Sequence, residues 1–155
     1  MNTPDNSHRR SFIGRMLALC AWPSIAARAA DVPSDSAETM IVKLTGGKIV
    51  SEGRVKLELP LLADNGNSVS LKVSVDSPMT PADYVKSIHL YGPKNPRPNI
   101  ANFYLGPRAG RAQVTTRVRL GGTQRVMAVA ALSDGSFWSG TADVAVTVSA
   151  CWDAS

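Results

Sequence analysis

The chain has 155 residues, of which 44% are hydrophobic, with two cysteines and 17 Lys and Arg against 12 Asp and Glu, a formal net charge of +5. Arg9, Arg10, Arg15 and Arg28 fall in the first 29 positions with only Asp5 to balance them, so residues 30–155 carry 13 basic and 11 acidic side chains, a net +2. A nearly balanced domain lacks the positive field that nucleic acid or an anionic surface demands, and this length makes one domain, so nucleic-acid binding is not expected.

The N-terminal stretch reads as an export signal. H-R-R-S-F-I-G places the pair Arg9 and Arg10 before Phe12 and Ile13, and the apolar run from Met16 to Ile25 is too short to span a bilayer. Ala27, Arg28 and Ala29 form an A-x-A cleavage pattern. The expectation is a twin-arginine signal over residues 1–29, a periplasmic product of roughly 126 residues, and no stable membrane insertion.

From Ala37 to Leu44, A-E-T-M-I-V-K-L predicts a short helix, stopped by Gly46 and Gly47. The periodicity then changes to two. Apolar and polar residues alternate through Val55–Leu59, Val69–Val75 and Ala112–Leu120, and further strand-like runs cover Val85–Tyr91, Ile100–Leu105, Arg125–Leu132, Phe137–Gly140 and Asp143–Val148. Turn chemistry separates them: A-D-N-G-N at 63–67, D-S-P-M-T-P at 76–81, the proline-rich segment 92–99, G-P-R-A-G at 106–110, G-G-T at 121–123 and S-D-G-S at 133–136. The predicted fold is all-β, an immunoglobulin-like antiparallel sandwich of about seven strands over residues 30–148, with a short N-terminal helix and a C-terminal arm over 149–155.

Residues suited to catalysis are scarce. After the signal, one histidine remains, His89, in a predicted strand with Ser87 and Tyr91 on its own face; it reads as a sheet-face or interface residue, and no catalytic triad is evident. Asp64, Asp134 and Asp153 fall in loops or termini. Arg111, Arg117 and Arg119 form a basic stripe, read as a solvated face or, less favourably, as a contact for a partner or an anionic cargo. No metal site and no cofactor are expected. Copper(I) held by Cys151 with Met79, Met127 or His89 is a lesser alternative, since thiolate and thioether are soft ligands without motif spacing here.

Cys20 lies in the signal, which leaves Cys151 as the one thiol of the exported chain, without a partner for an internal disulfide. It lies three residues past the predicted strand end. If Ser149, Ala150 and Cys151 were extended, the thiol would reach about 10 Å from the sandwich. Nearby Asp153 with the terminal carboxylate would if anything raise its pKa, so activation would come from a partner.

The blocks V-S-V-D-S-P-M-T-P-A-D-Y-V-K-S-I-H-L-Y-G-P-K-N-P-R-P (73–98), A-Q-V-T-T-R-V-R-L (112–120) and V-M-A-V-A-A-L-S-D-G-S-F-W (126–138) closely resemble SoxY, the carrier subunit of the periplasmic Sox sulfur-oxidation system. The resemblance implies a non-catalytic sandwich that pairs with a SoxZ-like subunit. It implies that Cys151 holds thiosulfate-derived sulfur covalently. It further implies loading by the c-type cytochrome SoxXA, then visits to the SoxB hydrolase and the SoxCD sulfane dehydrogenase. The arm departs from the family's usual G-G-C-G-G ending: Ser149, Ala150, Cys151, Trp152 and Asp153 open S-A-C-W-D-A-S, where Trp152 would pack on the sandwich or anchor a partner. Two readings compete with carriage: an interaction module that no longer delivers cargo, and the copper chaperone.

Overall fold

A computed structural model describes residues 35–150. The expected signal (1–29) and Cys151, Trp152 and Asp153 lie outside the described residues. Helix α1 spans Ala37–Thr45. Nine strands follow: β1 Val50–Glu52, β2 Val55–Glu58, β3 Leu62–Asn65, β4 Val69–Val75, β5 Val85–Tyr91, β6 Asn99–Tyr104, β7 Gln113–Val118, β8 Gln124–Leu132 and β9 Phe137–Val148. A 3-10 turn, Pro107–Ala109, links β6 to β7.

The strands form two sheets. The larger runs β1-β9-β8-β5-β6, with β3 also on β9, and the smaller runs β2-β4-β7. The sandwich is antiparallel except where β1 and β3 lie parallel to the first and last parts of β9. Both are additions to the strands expected from periodicity, and β9 is continuous where the sequence suggested two pieces.

Alternation produces the core. Along β4, Val69, Leu71, Val73 and Val75 are buried while the residues between them face outward. Their partners across the sandwich are Ile88 and Leu90 of β5 with Val126, Ala128, Ala130 and Leu132 of β8. Full burial of a Leu or Ile side chain stabilises by about 1.5–3 kcal/mol. The fully buried Leu71, Ile88, Leu90, Leu120 and Leu132 are therefore the chief contributors.

The outer face of the large sheet has its own cover. Ala37, Met40, Ile41 and Leu44 recur at helical spacing on α1 and pack on Tyr91, Val129, Met127 and Phe137. Ser36 caps the helix, its hydroxyl accepting from the Thr39 N–H at 3.2 Å, and the helix ends at Gly46 in the left-handed conformation. Tyr91 of β5 is thereby buried on this outer face, while Ile88 and Leu90 face the sandwich core. Among the described residues no helix is long and apolar enough to cross a membrane.

The S-D-G-S-F-W block is the β8–β9 turn. Asp134 accepts from the Ser136 N–H at 2.8 Å and from its hydroxyl at 2.6 Å, which holds the Asp134 carboxyl below the usual carboxylate range. Phe137 then packs with α1 and Trp138 packs against the main core, with the Arg54 guanidinium 5.6 Å from the indole centroid.

Candidate functional site

Two places hold the residues singled out by sequence. The first is the end of β9. Asn65 of β3 pairs with Val148, and the Gly66 N–H donates to the Val148 carbonyl at 2.7 Å. Beyond the strand the chain stays attached. The Ser149 hydroxyl donates to the Gly121 carbonyl at 2.6 Å, and the Ala150 N–H donates to the Leu120 carbonyl at 3.1 Å. Gly66 is a requirement of this packing, since a Cβ there would lie 2.4 Å from the Leu120 oxygen and 3.0 Å from the Ala150 nitrogen.

Ser149 and Ala150, expected as the free root of an arm, therefore lie on the β7–β8 turn. The part of the arm outside the described residues starts at Cys151. A net gain of about 1 kcal/mol per hydrogen bond makes peeling these two contacts cost about 2 kcal/mol, a small barrier to extension. Peeling them returns two residues to the tether, about 7 Å of reach.

The second place is His89. Its Nδ1 lies 2.8 Å from Asn102 Oδ1 and its Nε2 lies 2.9 Å from Ser87 Oγ. Neutral imidazole satisfies both, with Nδ1–H donating to Asn102 and Nε2 accepting from the serine hydroxyl. Tyr104 stands edge-on to the ring, its centroid 6.1 Å away. Asn102 belongs to β6, thirteen residues from His89, so this chain of bonds was invisible to local pattern. A serine, a histidine and an orienting third group also form the connectivity of nucleophilic catalysis. Here Ser87 and His89 are each only 6% exposed in mid-strand, which makes the bonds a device for satisfying buried polar atoms.

Burial, opposed by the Asn102 bond, holds the His89 pKa below its ordinary 6.5. The unfolded chain binds a proton at this residue near that value, and the folded chain does so only at lower pH. The stabilisation is thus present above pH 6.5 and lost as pH falls through the folded value. The urea midpoint should decline as pH falls below about 6.5, and His89→Gln should flatten that decline. An unchanged slope in the variant would remove the assignment. Glu58, held down by Lys56 and Lys72, and Asp143, held down by Arg125, act in the same direction at lower pH.

Cys151 lies outside the described residues, and the two methionines named with it belong to different clusters. Met79 is buried in the sandwich core with its sulfur accepting from the Val85 N–H, Met127 packs beneath α1, and both His89 nitrogens are engaged. Among the described residues no three His, Cys, Asp or Glu side chains gather where they could hold a metal ion.

The proline-rich segment, β6 and β7 enclose a groove of about 570 Å³ with Arg97, Arg117 and Arg119 on its walls. Arg117 and Arg119 were legible as a stripe, whereas Arg97 joins them only through the fold. Arg111, the third member of the expected stripe, precedes β7 and does not line the groove.

Comparison with known proteins fits this architecture. The chain is 24% identical to the sulfur carrier protein SoxY from Chlorobium limicola f thiosulfatophilum, over 72% of this chain and 96% of that one, with a TM-score of 0.59. A superoxide reductase (neelaredoxin) from Ignicoccus hospitalis is 20% identical over 61% of this chain and 80% of its own, TM-score 0.54. A putative superoxide reductase from Thermotoga maritima is 17% identical over 63% and 87%, TM-score 0.52. At these identities the likeness is one of fold. No curated protein matches the chain. The description of the sulfur oxidation protein SoxY matches residues 41–151, from within α1 through the last cysteine, and the chain belongs to that family.

Proposed function

We propose that this protein is a periplasmic carrier that holds thiosulfate-derived sulfur covalently on Cys151 and presents it to Sox enzymes. The observation that carries this reading is the extent of the family match, which runs through residue 151. The described structure supports it by bringing β9 to the end of the sandwich, so that Cys151 follows directly on a residue at its surface. The twin-arginine pattern would deliver the folded chain, paired with a SoxZ-like subunit, to the compartment.

The thiol itself does the chemistry. Loading joins Cys151 Sγ to the outer sulfur of thiosulfate: R–SH + S₂O₃²⁻ → R–S–S–SO₃⁻ + H⁺ + 2e⁻. The two electrons leave to a c-type cytochrome such as SoxXA, and the proton leaves from the thiol. The domain contributes position rather than catalysis, and hydrolysis (SoxB) and sulfane oxidation (SoxCD) belong to partners that come to the tail.

The test is intact-protein mass measurement after incubation with thiosulfate and an oxidised loading cytochrome in the presence of the partner subunit. The expected result is one thiosulfate added and one hydrogen lost at Cys151, reversed by a thiol reductant. No adduct under those conditions would overturn the reading.

A second reading, a module that pairs but delivers nothing, is favoured by one observation: Ser149 and Ala150 are tied down where the family's ending would be glycine. The adduct measurement separates the two.

A further inference from the structure

The arginine groove is unexplained by carriage alone. Lys43, Arg54, Lys56, Lys72 and Arg125 each have a carboxylate within ion-pair distance. Among the described residues none lies within that distance of Arg97, Arg117 or Arg119, nor of Lys48, Lys86, Lys94, Arg108 or Arg111; what sets the first three apart is that they line one groove. Arg117 belongs to β7, Arg119 follows directly after that strand, and Arg97 lies in the proline-rich segment. Like charges gathered without a counter-ion favour an anionic occupant. Ile100, Ala101 and Val118 add apolar surface, which lowers the local dielectric and strengthens any ion pair made there.

The groove is built in advance. Asn95 Nδ2 donates to the Arg119 carbonyl at 2.9 Å, and Asn95 Oδ1 accepts from the Gly121 N–H at 2.7 Å and from Gln124 Nε2 at 2.9 Å. These bonds fix the proline-rich wall to the β7–β8 turn. The same turn holds the tail: Gly121 accepts from Ser149 and Leu120 accepts from Ala150. Arg119 directly precedes Leu120, so the groove opens about one residue from where the chain leaves the described domain. Cys151 is the next residue in the sequence after Ala150.

We infer that the groove between β6 and β7 binds the chain's own tail, residues 151–155, when Cys151 carries a sulfonate-ended group. This rests on the carrier reading. The thiosulfonate R–S–S–SO₃⁻ ends in three oxygens and a negative charge, a match for forked guanidinium donors. Asp153 adds a second negative charge, and the groove lies in the roughly 300–1,000 Å³ range of small-molecule sites, with room for the Trp152 indole beside the sulfonate. With an unloaded thiol the tail offers the arginines only carboxylates, Asp153 and the terminal one, and no three-oxygen sulfonate. The tail's position thereby reports its cargo: docked when loaded, released when the sulfonate is removed. Docking also shields the S–S bond from stray thiols until a partner draws the tail out.

Tetrathionate tests this without the cytochrome, because it loads a thiolate directly: R–S⁻ + S₄O₆²⁻ → R–S–S–SO₃⁻ + S₂O₃²⁻. The full chain carrying Cys20→Ser would be loaded at Cys151 and compared by amide NMR with the same chain capped by neutral iodoacetamide. Expected are shifts at Ile100–Ala101 and Thr116–Arg119 in the loaded chain alone. Cleavage of the adduct by a small thiol should be roughly tenfold faster in Arg117→Gln/Arg119→Gln, and unchanged in Arg108→Gln, which removes a charge outside the groove. A loaded chain without groove shifts would overturn the inference and leave carriage standing. Shifts that need only free thiosulfate, or that need an added partner whether or not the tail is loaded, would also overturn it. Failure of cytochrome loading beside intact docking would count against carriage alone.

Discussion

A Cys151→Ser chain should fold, melt and bind its partner as the parent does, yet gain no mass from thiosulfate and the loading cytochrome. Cells with this chain as their sole carrier should lose thiosulfate oxidation entirely. The reason is elementary: the first step makes a sulfur–sulfur bond, and a serine oxygen cannot replace either the nucleophile or the bond. A thiol is partly ionised near neutral pH, whereas a hydroxyl is not. The described core gives the complementary expectation. The side chains that fill it lie between Ala37 and Val146, so a one-atom change at position 151 should leave the urea midpoint where it was. Growth by Cys151→Ser cells at the parental rate would favour the non-delivering module, and would do so whatever the groove does.

What was legible in the chain depended on whether a signal was local. Period-two runs such as V-S-L-K-V-S-V were, because each strand buries one face and the alternation records it, and the helix over Ala37–Leu44 was through its Gly46–Gly47 stop. Strands β1 and β3 were not. They are three and four residues long and join through backbone bonds to the free edge of β9, a form of pairing that demands little of the side chains. Ala63, Asp64 and Asn65 even carry turn chemistry, and still pair as strand. The candidate site divides the same way. Cys151 follows from counting thiols once the signal is set aside. The groove does not, since Arg97 precedes Arg117 by twenty residues and only the sandwich brings their two loop ends and edges together. The Ser87, His89 and Asn102 bonds cross between strands for the same reason.

The apparent break in β9 at Gly140 leads to the largest stability effect expected anywhere in the described domain. Gly140 sits opposite Ala128 within the large sheet, where β2 of the small sheet crosses. A Cβ built on Gly140 would lie 2.3 Å from the Val55 carbonyl oxygen, 3.0 Å from its carbon and 3.2 Å from the Val55 Cβ. These are mainly backbone contacts. Val55 is fixed by its pairing with Val75 of β4, so relief requires the two sheets to part rather than one rotamer to turn. Overpacking of a core by a methylene or two costs about 1–3 kcal/mol, and Gly140→Val, with a branched side chain against backbone, should reach or exceed the top of that range. Against a total of about 5–15 kcal/mol, and at roughly 4 °C per kcal/mol for a domain of this size, the melting temperature should fall by about 10 °C or more. Gly140→Ala should fall between the valine variant and the parent. A drop of less than about 3 °C in both would mean that β2 yields freely and that the close approach is not what joins the sheets here. Any folded Gly140→Ala fraction should still load at Cys151, because the contact it disturbs is at the β2 side of the sandwich while the tail is held by Gly66, Leu120 and Gly121.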